Sequence, residues 1–205
     1  ALDTVMMEED AQVVFTATEG KLTARSLRFA TLLSATGWKA FGMPFTSAVI
    51  KNSTEEEISA PSTQNVDNGI WFARLKDNKT PEFVVDESAF GMAGLWAANG
   101  DTYTISSEGA FEFKTLEEPA APTETGTFLM CSNPNTFTIT LKQSAYILTA
   151  DGTSFEQEAN PEIKPFQSFV LTDAKTLSTL RSLRIGDGVV TGTQGIEPVD
   201  GYYVT

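Results

Sequence analysis

The sequence predicts an all-β protein, an antiparallel β-sandwich, from three observations. Its longest apolar segments are short and rich in β-branched and aromatic residues, turn pairs recur between them, and helix signals are thin. Phe137-Ile139-Leu141 alternates with Thr138-Thr140, the period of a strand with one face in a core and one in water. The strand topology, jelly-roll or immunoglobulin-like, is left open by these signals.

Taken in order, Gln12 to Thr16, Phe137 to Leu141 and Ala145 to Thr149 read as strands. Asn68-Gly69, Asn99-Gly100, Asp151-Gly152, Asp187-Gly188 and Asp200-Gly201 are pairs that adopt positive φ at low cost and favour tight hairpins. The clearest hairpin runs from Tyr146 through Asp151-Gly152 to Phe155. Ser53 followed by Glu56 suggests one capped helical turn, and Leu171, Leu177 and Leu180 have helix-compatible spacing. Between Asp86 and Trp96, two glycines favour a loop or bent strand.

The 205 residues are read as one domain, 1–205, with an exposed loop at 116–126. That segment, rich in Pro, Glu and Thr, is the only linker-like stretch. The alternative is two small β domains, 1–115 and 127–205, but neither half shows a full set of sandwich strands.

Composition removes whole classes of function. A net charge of −13 with no Lys/Arg cluster argues against nucleic acid as partner, and against an anionic membrane surface. No apolar run is long enough for membrane insertion. One cysteine, Cys131, permits no intrachain disulfide, and its place in Phe128-Leu129-Met130-Cys131 suits a buried small side chain. Histidine is absent, so Ser-His-Asp and Cys-His nucleophilic sites and His-ligated metals cannot be built. No cofactor, metal site or catalytic residue is expected.

Carboxylate pairs remain as the one route to catalysis. Asp86 with Glu87, or Glu82 with Asp101, lie near aromatics, and a glycosidase needs its two carboxyls roughly 5–10 Å apart. Acids are abundant enough that such proximity is ordinary. Asp67-Asn68-Gly69 is too short for an EF-hand loop, and Asp151-Gly152 is better read as a turn.

The three tryptophans carry the sharpest binding hypothesis. Trp71 and Trp96 sit beside turn pairs, and with Asn68, Asn99 and Asp101 they are the candidate ligand-binding residues. Sugar rings stack their C–H faces on exposed indoles while amides and acids hold the hydroxyls. Core packing is the competing reading for both. Trp38, just before Lys39 to Phe45, is expected in the core.

Three stretches resemble a family of uncharacterised β-sandwich domains in Bacteroides-type surface and outer-membrane proteins. They are Asp3-Thr4-Val5 leading on to Gly37-Trp38-Lys39-Ala40-Phe41-Gly42-Met43-Pro44-Phe45, the hairpin at Tyr146 to Phe155, and Ile163 to Phe169 followed by Leu183 to Asp187. Met43 stands where the family has leucine, and Ala93 to Asn99 lacks its proline–tyrosine pairing. The resemblance implies an exported, adhesin-like or lipoprotein-type module, associated with the outer membrane and joined to further domains. It implies no catalytic residues. The expected function is therefore a non-catalytic surface module binding a glycan or a protein, with a structural spacer as the alternative and a carboxylate-based glycoside hydrolase as a third reading.

Overall fold

The computed structural model describes residues 2–14, 21–34, 36–43, 45, 48–58, 70–85, 93–98 and 100–185. The chain is all-β, with stacked, mainly antiparallel sheets in a sandwich arrangement. One sheet contains β1 (Leu2–Met7), β2 (Leu22–Leu33), β4 (Ala48–Lys51), β5 (Glu57–Ile58) and β9 (Asp101–Ser107) in the order β1-β2-β9-β4-β5, with β10 (Phe111–Phe113) also on β2. A second is β3 (Lys39–Phe41), β8 (Gly94–Ala97), β6 (Trp71–Leu75) and β7 (Phe83–Val85), in that order. A third orders β11 (Phe128–Ser132), β16 (Ser168–Thr172), β13 (Ala145–Leu148), β14 (Ser154–Glu158) and β17 (Ser182–Arg184). A small ribbon pairs β12 (Ile139–Thr140) with β15 (Glu162–Ile163).

The second sheet is a middle layer, which a two-sheet sandwich does not have. Its strands carry no polar alternation because both faces are covered. Ile70, Phe72, Trp96 and Ala98 project to one side and join Leu27, Phe29, Leu33, Ile50, Tyr103 and Ile105 of the first sheet. Ala73, Leu75 and Leu95 project to the other and meet Phe128, Tyr146, Phe155, Val170 and Leu183 of the third. Pleating alone produces this split, since successive side chains alternate faces. The amino- and carboxy-terminal halves thus share a continuous apolar layer.

Phe166 ties them further. It is fully buried and enters the core of the first sheet, edge-on to Phe29 (centroids 5.2 Å, 87°) and Phe41 (6.3 Å, 85°). Its backbone amide donates to Asn133 O (2.9 Å), and its carbonyl accepts from Gly42 N (2.8 Å). The linker-like segment is stitched to the carboxy-terminal half as well. Leu116 N donates to Asn135 Oδ1 (2.8 Å), Lys142 N to Glu118 Oε1 (2.9 Å), and Gln143 Nε2 to Pro119 O (2.6 Å).

Local expectations met different outcomes. The hairpin β13–β14 forms, with Gly152 at φ +70° and its amide bonded to Thr149 O (2.9 Å). Helix α1 (Ala174–Thr179) forms where the leucine spacing placed it, capped by Asp173. Gln12, Val13 and Val14 form no strand; Val13 instead joins Thr136 by a backbone bond of 2.7 Å. The capped turn at Ser53 is not helical. Asn52 Oδ1 accepts from Thr54 N (3.0 Å) and Glu56 N (2.9 Å), turning β4 directly into β5. One pair, β1 with β2, is parallel, its connection running from residue 8 to residue 21.

Candidate functional site

The structure places Trp71 and Trp96 in the core, the competing reading for both, and Trp38 at the surface. Trp96 is fully enclosed, edge-on to Phe41 (5.3 Å, 89°) and Phe72 (5.8 Å, 84°). Trp71 is 5% exposed on the middle sheet, paired with Ala97. Neither offers a ring face on which a sugar stacks, so the stacking role expected of Trp71 and Trp96 is corrected to core packing. The physical reason is legible in retrospect: Ile70-Trp71-Phe72-Ala73 and Leu95-Trp96-Ala97-Ala98 are unbroken apolar runs, the pattern of strands buried on both faces. Proximity to a turn pair does not outweigh that pattern.

Of the other candidates, Asn68 and Asn99 lie outside the described residues. Asp101 opens β9 and accepts from Ser53 Oγ (2.8 Å), Thr102 N (2.7 Å) and Ser53 N (3.3 Å). The Ser53 hydroxyl, and then the Thr102 amide, hold its carboxyl below the usual range. It serves the turn after β4. Glu82 is paired with Lys76 (2.9 Å) across the β6–β7 turn, a separate sheet from Asp101. Asp86 and Glu87 lie outside the described residues, as do Asp187-Gly188 and Asp200-Gly201.

Trp38, expected in the core, is the tryptophan that reaches the surface. It is half-buried against the core between the second and third sheets, and it lines a groove of about 320 Å³. Volumes near this value are at the lower end of small-molecule sites. Five segments converge there: the turn Glu9-Asp10-Ala11 after β1, the end of β2 with Leu32 and Ser34, Trp38-Lys39 entering β3, the hairpin tip Leu148-Thr149-Ala150, and the stretch from Lys164 to Gln167. Leu32 is 54% exposed there, an apolar side chain left in water beside an indole.

Each segment has a reason to be where it is. Asp10 takes φ +68° in a turn closed by Ala11 N to Glu8 O (3.0 Å), a conformation that Asp tolerates better than most side chains. Thr149 Oγ1 (2.6 Å) and Thr153 Oγ1 (2.9 Å) both donate to Asp151 Oδ1, which shapes the hairpin tip. Trp38 N then donates to Gly152 O (3.2 Å), setting the tip against the strand entry. Lys164 N donates to Gln167 Oε1 (2.9 Å) and rounds the fifth segment.

Two ion pairs line the groove: Lys39 Nζ with Glu9 Oε1, and Lys164 Nζ with Asp10 Oδ1. The hydrogen bond from Lys164, and then its charge, hold the Asp10 carboxyl below the usual range. Among the described residues the Asp10, Asp77, Asp101, Asp151 and Asp173 carboxyls are all held below the usual range by their hydrogen bonds. Among the described residues no group of three or more acidic or sulfur ligands gathers for a metal ion. Cys131 is partly buried, and desolvation pushes its thiol up to about 11, far from a reactive thiolate. Among the described residues no helix is long and apolar enough to cross a membrane.

The groove is not legible in the sequence because its parts come from distant segments, Asp10 and Lys164 being 154 residues apart. One local signal pointed to it: Trp38 is flanked by Gly37 and Lys39, not by an apolar run. No family model, no curated protein and no solved structure matches the chain.

Proposed function

We propose that the chain is a non-catalytic, extracellular binding module of a larger surface protein, and that the Trp38 groove is its contact surface. The observation that carries this reading is the pairing of a half-buried indole with an exposed leucine, Leu32, inside a concavity rimmed by four charged side chains. Exposed aromatic and aliphatic surface framed by hydrogen-bonding groups suits a ligand that is apolar on one face and polar at its edges. The architecture is compatible: rigid strands and a short hairpin present the side chains, so little ordering is needed on binding.

The structural-spacer reading draws on a specific observation too, the burial of Trp71 and Trp96. Trp38 separates the two readings, since a spacer has no use for it at the surface.

The test is a thermal-shift screen of the chain against host and bacterial glycans and matrix proteins, repeated with Trp38→Ala. A ligand at ~100 times its dissociation constant stabilises by about 2.7 kcal/mol, a shift of roughly 5–10 °C for a chain of this size. A shift confined to one ligand class and lost in Trp38→Ala supports the groove. A flat response across the panel supports the spacer.

A further inference from the structure

From the charge balance of the groove we infer that its ligand is a neutral, polyhydroxylated glycan, not an acidic polysaccharide or a charged peptide. The inference rests on the reading of the groove as the binding surface and names the chemistry of what fills it.

Among the described residues four ionic side chains line the groove, two of each sign, and each is already satisfied by an opposite. Lys39 holds Glu9 and Lys164 holds Asp10. Glu9 also lies 3.5 Å from the Leu32 amide, beside the exposed leucine. An acidic ligand that takes a spare ammonium proton of Lys39 or Lys164 sits beside the carboxylate that lysine already holds, Glu9 or Asp10, and meets its like charge. It also approaches a chain of net charge −13, so long-range attraction is missing. A cationic ligand has the mirror problem, since it meets the ammonium of Lys39 or Lys164 at the same carboxylates.

A neutral sugar meets neither conflict. A hydroxyl both donates and accepts. Neighbouring hydroxyls therefore engage a carboxylate oxygen and an ammonium proton together, and the ion pair stays intact. Hydrogen bonds to ionised partners are the stronger kind. The pairs are open enough for this, with Glu9 46% and Lys39 24% exposed at the side chain, and Asp10 64% and Lys164 62%. Trp38 and Leu32 supply the apolar surface for the C–H face of the ring.

Calorimetric titration of the full chain tests this with neutral probes (xylohexaose, cellohexaose, laminarihexaose, mannohexaose) and acidic ones (hexagalacturonate, a hyaluronan hexasaccharide). Each is measured at about 50 and about 300 mM NaCl, a range over which exposed charge attraction is strongly screened. The expected result is binding of a neutral probe with an affinity that changes less than about twofold between the two salts. Glu9→Gln and Lys39→Met, both at exposed or part-exposed positions, then weaken it about tenfold or more without lowering Tm. Preferential binding of an acidic probe, lost at high salt and lost in Trp38→Ala, overturns the inference and leaves the groove reading standing. Binding that survives Trp38→Ala, or no binding by any probe, overturns both.

Discussion

Gly152 approaches the backbone of Trp38 so closely that a Cβ on it would lie 2.4 Å from the Trp38 carbonyl oxygen and 2.5 Å from its nitrogen. Gly152 also has φ +70°, a conformation that side chains resist. Gly126 has the same conformation, φ +73°, yet a Cβ there meets nothing within 4 Å. The two glycines therefore separate the cost of backbone conformation from the cost of contact. Gly126→Ala is expected to lose about 1 kcal/mol. Gly152→Ala is expected to lose that and a further ~1–3 kcal/mol of overpacking, with the hairpin tip pushed off the groove. Urea denaturation of both variants checks it, and equal losses would remove the close approach as a structural element.

Phe166 combines full burial with φ +61°, a conformation that is strained for a bulky residue. The surrounding structure fixes it from both sides, through Asn133 O and Gly42 N and through the rings of Phe29 and Phe41. Phe166→Ala is expected to cost about 3–5 kcal/mol through the cavity it leaves. Phe166→Gly empties the same volume but relieves the backbone, so it is expected to be more stable than the alanine variant by about 1 kcal/mol. Denaturant midpoints give the order directly. An alanine variant more stable than the glycine one contradicts the strained conformation.

The features that the sequence made legible depend on neighbours in the chain, though not every such feature forms, as Gln12 to Val14 and the turn at Ser53 show. The β13–β14 hairpin needed only Asp151-Gly152 between two apolar stretches, and α1 is read from its leucine spacing, the Asp173 cap being seen only in the structure. The middle sheet was not legible, because being covered on both faces depends on which other sheets arrive there. That is also why Trp71 and Trp96 leave a surface and a core reading both open and Trp38 reads as core: turn proximity is local, whereas enclosure is a property of the stack. The groove was beyond reach for the same reason. Its ion pairs join residues 30 and 154 positions apart, and no periodicity relates them.

Trp38 and Trp96 should behave as different kinds of residue under the same substitution. Trp96→Ala removes a fully enclosed indole from between Phe41 and Phe72 and is expected to cost about 3–5 kcal/mol. Trp38→Ala removes a half-buried ring that still packs on the core between the second and third sheets, for an expected ~1–2 kcal/mol. Tryptophan fluorescence supplies an independent reading. Iodide is expected to quench the wild type partially, and Trp38→Ala to lose the quenched component while Trp71 and Trp96 stay dark to the quencher. Quenching that persists in Trp38→Ala would mean that a different indole reaches water.

Acid should loosen the junction between the 116–126 loop and α1 through Asp173. Its Oδ1 accepts from Lys175 N (3.0 Å) and Thr176 N (3.1 Å), and its Oδ2 from Thr176 Oγ1 (2.5 Å) and Gly126 N (2.8 Å). The Thr176 hydroxyl, and after it the amides of Thr176, Gly126 and Lys175, hold this carboxyl well below its ordinary 3.8, against the opposing effect of burial. The folded value therefore lies below the unfolded one, and the unfolded chain takes up a proton first as pH falls. The stabilisation is complete above the ordinary carboxylate pKa and is lost as pH drops from there through the folded value. Asp173→Asn keeps one capping oxygen but has no proton to gain, so its stability should fall less steeply below pH 3.8. The slope is reduced and not abolished, because the Asp10, Asp77, Asp101 and Asp151 carboxyls are also depressed by their hydrogen bonds. Urea midpoints collected between pH 6 and pH 2 compare the two slopes. Identical acid limbs would show that the Asp173 cap is not made in solution, and would free the loop from the helix at every pH.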